Sequence, residues 1–437
     1  MDALLFTLAI FAALFVILMM GLPVSFAMGF SGIVGIMIFS DPRILPQIGT
    51  LAYNQATSMT VLMIPMFILM AEFLANSNFA ADIFDALNRR LRKVPANLAI
   101  VSVVASTIFS SICSSAPATA ATIGRISIPA MLKEGYSQRF AAGTQSAAGN
   151  IGILLPPSIT LIVYGMITET GIVRLFMASI IPGFMITLMM IIYILIRNKV
   201  GPPIITKAKE SEKSANDTEN VSLLKDAMTV LPIVILVIII LTLLYTGIAT
   251  ATESAAIGAF AASVIVFMKG RMTKDCIQKT LFNTTSTTCM ILFMMVGGLI
   301  FALFLTIMGL PQTLSAFLIE VVPSPWIMFV VVNLIFIFLG LFLDNMSAMM
   351  MTLPFLFPVM MEMGFDPVWL GVIVVVNLCI GMITPPVGTN IFVIVAVSGV
   401  PFGDVWRGAL PYCFILLLGI VLLSVFPQLA LFLPSTM

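Results

Sequence analysis

The sequence predicts an all-α polytopic membrane protein with two inverted-topology repeats, each holding a re-entrant hairpin and an unwound Pro-Pro helix. Three observations support this fold class: the composition, the placement of basic residues and a repeated motif. Of the 437 residues, 60% are hydrophobic and 9% are charged, whereas soluble domains carry roughly 25% charged residues. The excess apolar surface must therefore face a lipid bilayer, which excludes an ordinary soluble enzyme.

The net charge and the numbers of His and Cys exclude further classes of function. The net charge is +1, so no overall field favours nucleic acid as a partner. The chain has no His, which removes the usual general base and the commonest metal ligand. Its five Cys are scattered without a CxxC motif, so we predict no cofactor, no disulfide framework and no metal site of that type. The first apolar segment lacks a cleavage signal and is predicted to be a retained helix.

Basic residues define the predicted topology. Apolar runs fill most of the chain, and many approach the roughly 20 residues that cross a bilayer. Lys and Arg cluster at 89–93, 133–139 and 269–274, whereas the connections near Glu320 and Glu362 are acidic. Cytoplasmic loops carry the excess of Lys and Arg, so the basic clusters are predicted to be cytoplasmic in a multi-pass protein of the bacterial inner membrane.

One polar stretch divides the chain near its middle. Residues 199–226 are rich in Lys, Glu, Ser and Asn, which is typical of a linker. A third group of basic residues lies around its start and within it, so we predict that it is cytoplasmic. This division predicts a first repeat over 1–198 and a second repeat over 227–437.

The two halves share a motif at a constant offset. The prolines that open the related segments differ by 358 − 129 = 229, and the Pro-Pro pairs differ by 385 − 156 = 229. Four basic residues precede the first unit, whereas the connection before the second contains Glu320 and no base. The same unit is therefore predicted to sit in opposite orientations, which is typical of secondary transporters.

Each repeat is predicted to contain a hairpin that enters the membrane and returns. In the first repeat the hairpin spans 96–132, its small polar tip runs over 110–119, and basic residues flank both ends. In the second repeat it spans 325–361, its tip runs over 340–347, and its flanks are acidic. Both ends of each hairpin therefore lie on one side, and the two hairpins enter from opposite sides.

A helix that must break follows each hairpin. The segments 139–165 and 366–396 each contain Pro-Pro, which removes two backbone donors and restricts the preceding residue. Unwound carbonyls that face a cavity suit Na⁺, and half-helix N-termini favour a carboxylate. A Pro-Pro pair can also merely kink a packed helix. Two symmetric breaks, each opposite a polar tip, favour a binding site.

Three acidic residues lie within apolar segments, where a carboxylate is costly and usually functional. Asp344, at the second tip, is predicted to handle substrate or ion. Glu72 and Glu253 have either a functional role or a structural role in capping or pairing. Arg125 either attracts an anionic substrate or extends to the cytoplasmic interface.

The chain resembles the large membrane subunit of tripartite ATP-independent periplasmic (TRAP) transporters over nearly its whole length. The segments that carry the resemblance are GLPVSFAMG at 21–29, PMFILMAEFLANS at 65–77, GNIGILLPPSI at 149–159, ATESAAIGA at 251–259, LGLFLDN at 339–345 and IGMITPPVGTNIFVIVAVSGVP at 380–401. The resemblance implies an elevator-type transporter driven by a Na⁺ gradient. It also implies two partners: a small membrane subunit, and a periplasmic binding protein that delivers an organic anion such as a C4-dicarboxylate or sialic acid.

The resemblance further implies two sodium sites where the hairpin tips meet the unwound helices. The implied residues of site one are Ser110, Cys113, Gly152, Leu155 and Pro157. Those of site two are Gly340, Gly381, Thr384 and Val387. The implied substrate residues between the sites are Ser114, Ser115, Ser158, Asp344 and Asn345. The first tip reads Ile-Cys113-Ser-Ser where the family often has Ser-Gly-Ser-Ser; a thiol is a poorer ligand for a hard ion, whereas a backbone carbonyl is unaffected.

Two alternatives remain open at this point. The same hairpins would serve a stand-alone sodium-coupled dicarboxylate or citrate-type carrier without a soluble receptor. A membrane-embedded enzyme or a channel is a different class, but no catalytic constellation is visible in the sequence. No ATP-binding P-loop is present, which argues against ATP hydrolysis by this chain.

Overall fold

The computed structural model describes residues 2–200, 223–322 and 324–437, whose regular structure is helical. Helices α1 to α10 are Asp2–Met19, Val24–Phe39, Leu45–Thr57, Met63–Ala75, Phe79–Leu91, Asn97–Cys113, Ala116–Lys133, Gln138–Ala148, Ile159–Thr168 and Ile172–Lys199. Helices α11 to α20 are Leu223–Tyr245, Ala251–Met268, Lys274–Ile307, Leu310–Val321, Pro325–Gly340, Asn345–Glu362, Pro367–Met382, Thr389–Ser398, Phe402–Val425 and Gln428–Leu431. Residues 201–222 of the predicted linker lie outside the described residues.

Several helices suit a bilayer. Among the described residues, α10, α12, α13 and α19 are each long and apolar enough to cross a membrane. Helices α4 and α5 form a fifth apolar span if they are counted together, with a bend of 60° between them. The predicted all-helical membrane class is therefore confirmed. Helices α3 and α4 are separate, because α3 ends at Thr57 and α4 begins at Met63.

The helix pairs lie where the sequence predicts hairpins. Helices α6 and α7 occupy 97–133 and are joined by two residues, and α15 and α16 occupy 325–362 and are joined by four. We call these pairs hairpin one and hairpin two. The segments after them are interrupted between α8 and α9 and between α17 and α18. We call residues 149–158 break one and residues 383–388 break two.

The helices pack as two groups. Helices α2, α4, α12 and α13 pack on one another, and we call them the α2–α13 group. Small residues allow this close approach: a Cβ atom on Gly297 would lie 2.2 Å from the carbonyl oxygen of Ser25. The hairpins and the interrupted helices, α6–α9 and α15–α18, contact one another and form the hairpin group. The two groups meet along α4 with α6, and along α13 with α16.

Candidate substrate and ion-binding site

Hairpin one folds back at Ser114 and Ser115. Ser114 has a left-handed backbone with φ of 51°, and the Ser115 side chain caps α7 by accepting from the Ala118 N–H over 3.4 Å. Farther down the arms, Ser102 and Ser127 both donate to the side-chain oxygen of buried Gln145. One amide oxygen thus receives a hydroxyl from each arm, which holds the two helices side by side.

Break one follows directly after α8. A short 3₁₀ turn covers 149–153, the Pro156–Pro157 bond is cis, and α9 begins at Ile159. Ser158 caps α9, since its Oγ accepts from the Leu161 N–H over 3.3 Å and donates to the Ile153 carbonyl. The two prolines have no N–H, so carbonyls near them lose their helical partners and can bind other groups.

The tip of hairpin one lies against break one. The Ser114 hydroxyl donates to the carbonyl oxygen of Pro157. Gly152 touches the same helix end so closely that a Cβ atom there would lie 2.1 Å from the Ser110 Cβ. The structure therefore brings together Ser110, Gly152 and Pro157, with buried Cys113 beside Ser114 in the chain. The Leu155 side chain packs against Gly183 of α10, so only its backbone is available for an ion.

Hairpin two lies against break two in a comparable way. Helix α15 ends at Gly340, and the N–H of Val387 donates to the carbonyl of Leu341 over 3.0 Å. A Cβ atom on Gly381 would lie 2.6 Å from the Gly340 Cα. The hydroxyl of Thr384 donates to the Ile380 carbonyl over 2.6 Å. The Pro385–Pro386 bond at this break is also cis.

The substrate residues implied by the resemblance lie in two places. Ser114, Ser115 and Ser158 lie at the first tip and break, where their hydroxyl groups make the local bonds described above. Asp344 caps α16 by accepting from the Met346 N–H over 3.1 Å, and it also accepts from the Ser347 hydroxyl. The neighbouring Asn345 is buried, and its side-chain oxygen has no hydrogen-bond partner among the described residues.

The structure gives the surroundings of Glu72, Glu253 and Arg125, whose roles the sequence left open. Glu72 lies on α4, and its carboxylate accepts from the Asn76 amide over 3.0 Å and from the Asn283 amide of α13 over 2.9 Å. Glu253 is exposed and completes a capping box with Thr250 at the start of α12. Arg125 is exposed on α7. Glu72 and Glu253 therefore have structural partners.

The sequence interpretation missed several buried polar residues. Gln145 joins the arms of hairpin one, and the Asn150 amide donates to the Cys379 carbonyl of α17 over 2.7 Å. Asn390, at the start of α18, donates to the Asn150 side chain over 2.6 Å. The sequence did contain a signal for these contacts, because an amide side chain within an apolar segment costs free energy unless it is hydrogen-bonded.

An apolar cavity lies beside break one. Its volume is about 290 Å³, and its lining includes Ile108, Leu155, Phe184 and Ile238 from α6, break one, α10 and α11. Such a lining does not suit an organic anion, because a carboxylate needs hydrogen-bond donors when it leaves water. The polar tips and breaks remain the better candidate site.

Comparison with known proteins gives the family. Residues 11–429 match the family model described as tripartite ATP-independent periplasmic transporter, DctM component. The chain is 36% identical to the C4-dicarboxylate TRAP transporter large permease protein DctM of Pseudomonas aeruginosa, over 94% of each protein. It is 30% identical to the sialic acid TRAP transporter large permease protein SiaM of Vibrio cholerae, over 96% of each.

A solved structure shows a similar fold. The Alcanivorax borkumensis YdaH transporter superposes with a TM-score of 0.63 at 16% identity, covering 89% of this chain and 90% of that one. At that identity the likeness concerns the fold alone. The family model and the two named relatives, rather than this fold likeness, decide the assignment. The chain is a multi-pass membrane protein and not an enzyme, and it belongs to the large permease (DctM) component of the tripartite ATP-independent periplasmic transporters.

Proposed function

We propose that this chain imports an organic anion across the bacterial inner membrane, driven by a Na⁺ gradient and by an elevator-type movement. The observation that carries the proposal is the docking of each hairpin tip on one Pro-Pro break. Ser114 bonds to Pro157 at the first contact, and Leu341 bonds to Val387 at the second. Each contact gathers backbone and hydroxyl oxygens, which are the ligands that a hard cation prefers.

Sodium site one is proposed at the first contact. Ser110, Gly152 and Pro157 lie together there, and a carbonyl that accepts one hydrogen bond keeps a second lone pair. Leu155 would contribute its carbonyl, since its side chain packs on α10. Cys113 would likewise contribute a carbonyl, because sulfur is a soft ligand.

Sodium site two is proposed at the second contact. Gly340 and Gly381 are in backbone contact, and Val387 is bonded to the turn after Gly340. The Thr384 hydroxyl uses its proton on the Ile380 carbonyl, which leaves its oxygen lone pairs for an ion. Among the described residues no three His, Cys, Asp or Glu side chains form a metal cluster, so carbonyl and hydroxyl oxygens would carry the site.

The inverted repeat is part of this proposal. The Pro-Pro pairs of the two breaks are 229 residues apart, and each break contacts its own hairpin tip. Asn150 and Cys379 are also 229 residues apart and contact each other, as expected at a pseudo-twofold axis. In this proposal the polar segment 199–226 separates the repeats 1–198 and 227–437, and the charged flanks support opposite membrane orientations and re-entrant hairpins.

The two packing groups support an elevator. In this proposal the hairpin group carries both ions and the substrate, and slides as a body against the α2–α13 group. The α2–α13 group and its exposed apolar neighbours would remain fixed, with the small membrane subunit and a periplasmic binding protein as partners. The named relatives transport a C4-dicarboxylate and sialic acid, which are both anions. The N-termini of α7 and α9, which are capped by the neutral side chains of Ser115 and Ser158, carry partial positive charge that favours such a carboxylate.

Uptake into proteoliposomes tests the proposal. The chain and its small subunit would be reconstituted, and uptake of radiolabelled succinate and sialic acid measured with and without a binding protein under an inward Na⁺ gradient. We expect uptake of one anion that needs both Na⁺ and the binding protein. Unchanged uptake after replacement of Na⁺ by choline would contradict sodium coupling. Uptake without the binding protein would instead support a stand-alone carrier.

A further inference from the structure

A buried junction of side-chain amides connects the two breaks. The Asn150 amide N–H donates to the Cys379 carbonyl over 2.7 Å, and its oxygen accepts from the Asn390 amide over 2.6 Å. Asn390 also donates to the Ser146 carbonyl over 3.3 Å. All four residues are at most 2% exposed. These bonds therefore form in the interior of the hairpin group.

At this junction, each repeat supplies a side chain that contacts the carbonyl end of a helix in the other repeat. Cys379 lies in the last turn of α17, and Ser146 lies in the last turn of α8. Carbonyls in the last turn of a helix have no intrahelical partner. Asn150, from break one, satisfies a carbonyl of the helix before break two, and Asn390, just after break two, contacts a carbonyl of the helix before break one. Each helix end thus contacts a side chain that lies in or directly after the other break.

The junction is adjacent in the chain to both proposed sodium sites. Asn150 is two residues before Gly152, Cys379 is two before Gly381, and Asn390 is three after Val387. A shift of one break would pull on the bonds that hold the other. Because an unpaired amide or carbonyl in a buried setting is costly, the two breaks are constrained to move together.

We propose that Asn150 and Asn390 are positioning residues that couple the two sodium sites, an inference that rests on the proposed function. Na⁺ binding at one break orders its carbonyls, and the amide junction transmits that order to the other break. The second ion then binds to a site that is already partly ordered. Its binding therefore loses less conformational entropy, and the two ions bind with positive cooperativity. In this role the two amides hold the breaks through their own hydrogen bonds and are not ligands of the ion.

Direct ²²Na⁺ binding tests the coupling without knowledge of the substrate. The full chain with its small subunit would be placed in nanodiscs, and binding isotherms measured for the wild type and for Asn150→Ala. We expect the wild type to bind two ions with a Hill coefficient approaching about 2, the number of sites. In Asn150→Ala we expect two ions still to bind, but with a Hill coefficient of about 1.

Two further variants keep the test decisive. Asn390→Ala removes the other amide and should give the same loss of cooperativity. If Asn150→Ala does not fold, the binding isotherm of Asn390→Ala decides the test. Asn333→Ala is the matched control, because Asn333 accepts an amide bond of 2.5 Å from Asn377 without joining the two breaks, and it should keep the wild-type isotherm. Two ions with unchanged cooperativity in both amide variants would overturn the coupling alone. A wild type that binds no Na⁺ would overturn the proposed function as well.

Discussion

Gly381 and Gly340 touch backbone to backbone, so that a Cβ atom on Gly381 would lie 2.6 Å from the Gly340 Cα. The first lies in the last turn of α17, just before break two, and the second ends the first arm of hairpin two. A Cβ atom on Gly381 would force hairpin two away from the end of α17, whereas one on Gly340 would lie 3.1 Å from the Gly381 Cα and would require only a small shift. The contact at the proposed second sodium site therefore depends on two residues that have no side chain.

Gly381→Ala should push hairpin two away from break two. Overpacking typically costs about 1–3 kcal/mol, and each 1.4 kcal/mol corresponds to about tenfold in affinity. We expect Na⁺-dependent uptake to need between about fivefold and about a hundredfold more Na⁺. Gly403→Ala is the control, since a Cβ atom there meets no atom within 4 Å. Equal Na⁺ dependence in both variants would contradict the importance of the contact.

Ser114→Ala tests the first tip. The change removes the hydroxyl that donates to the Pro157 carbonyl, and a lost hydrogen bond of this kind costs about 0.5–1.5 kcal/mol. We expect the half-saturating Na⁺ concentration for uptake to rise by about two- to tenfold. Ser111→Ala is the matched control, because the Ser111 hydroxyl donates to the Ile108 carbonyl within its own helix. A larger effect of the control would argue against a special role of Ser114.

Thr384→Val and Thr384→Ser separate the hydroxyl from the methyl group at the second site. If the hydroxyl oxygen binds Na⁺, Thr384→Val should weaken Na⁺ activation by about tenfold or more, because an ionic contact is worth about 1.5–3 kcal/mol. Thr384→Ser should restore most of it. Thr352→Val provides the control, since buried Thr352 makes a similar bond to Ala348 within α16. Equal losses in the two Val variants would indicate a packing effect only.

The sequence predicted the elements of the site better than their contacts. The Pro-Pro pairs, Gly152 and Gly381 mark the breaks because the chemistry of those residues acts locally. The link between Asn150 and Asn390 is not local: the residues are 240 positions apart and meet only after both halves have folded. Glu253 shows the opposite case, because its capping partner Thr250 is three residues away and the T-x-x-E spacing was readable from the chain.

We expect an acid-sensitive ion pair at the start of α11, where Asp226 precedes the apolar stretch of the helix and contacts Arg89 and Arg90. A hydrogen bond from Arg89 and the charges of Arg89 and Arg90 hold the pKa of Asp226 below its ordinary value of 3.8. A lowered pKa contributes stability that is complete above the unfolded-state pKa and is lost as the pH falls through the folded-state pKa. Asp226→Asn should therefore lower the Tm at pH 7, and the difference from the wild type should shrink below about pH 4. A difference that stays constant down to pH 3 would exclude this ion pair as its origin.

A cross-link between hairpin two and α13 tests the elevator directly. The Ser347 hydroxyl lies 3.7 Å from the Met294 sulfur, so cysteines at these two buried positions would lie close enough for oxidation to join them directly by a disulfide. In a Cys289→Ser background, which removes the exposed native thiol, we expect the link to abolish uptake while ²²Na⁺ binding persists, because the hairpin group can no longer slide. Reduction of a cleavable link should restore uptake. Each single-cysteine variant, treated in the same way, controls for modification alone. Full transport with the link intact would show that hairpin two does not move relative to α13.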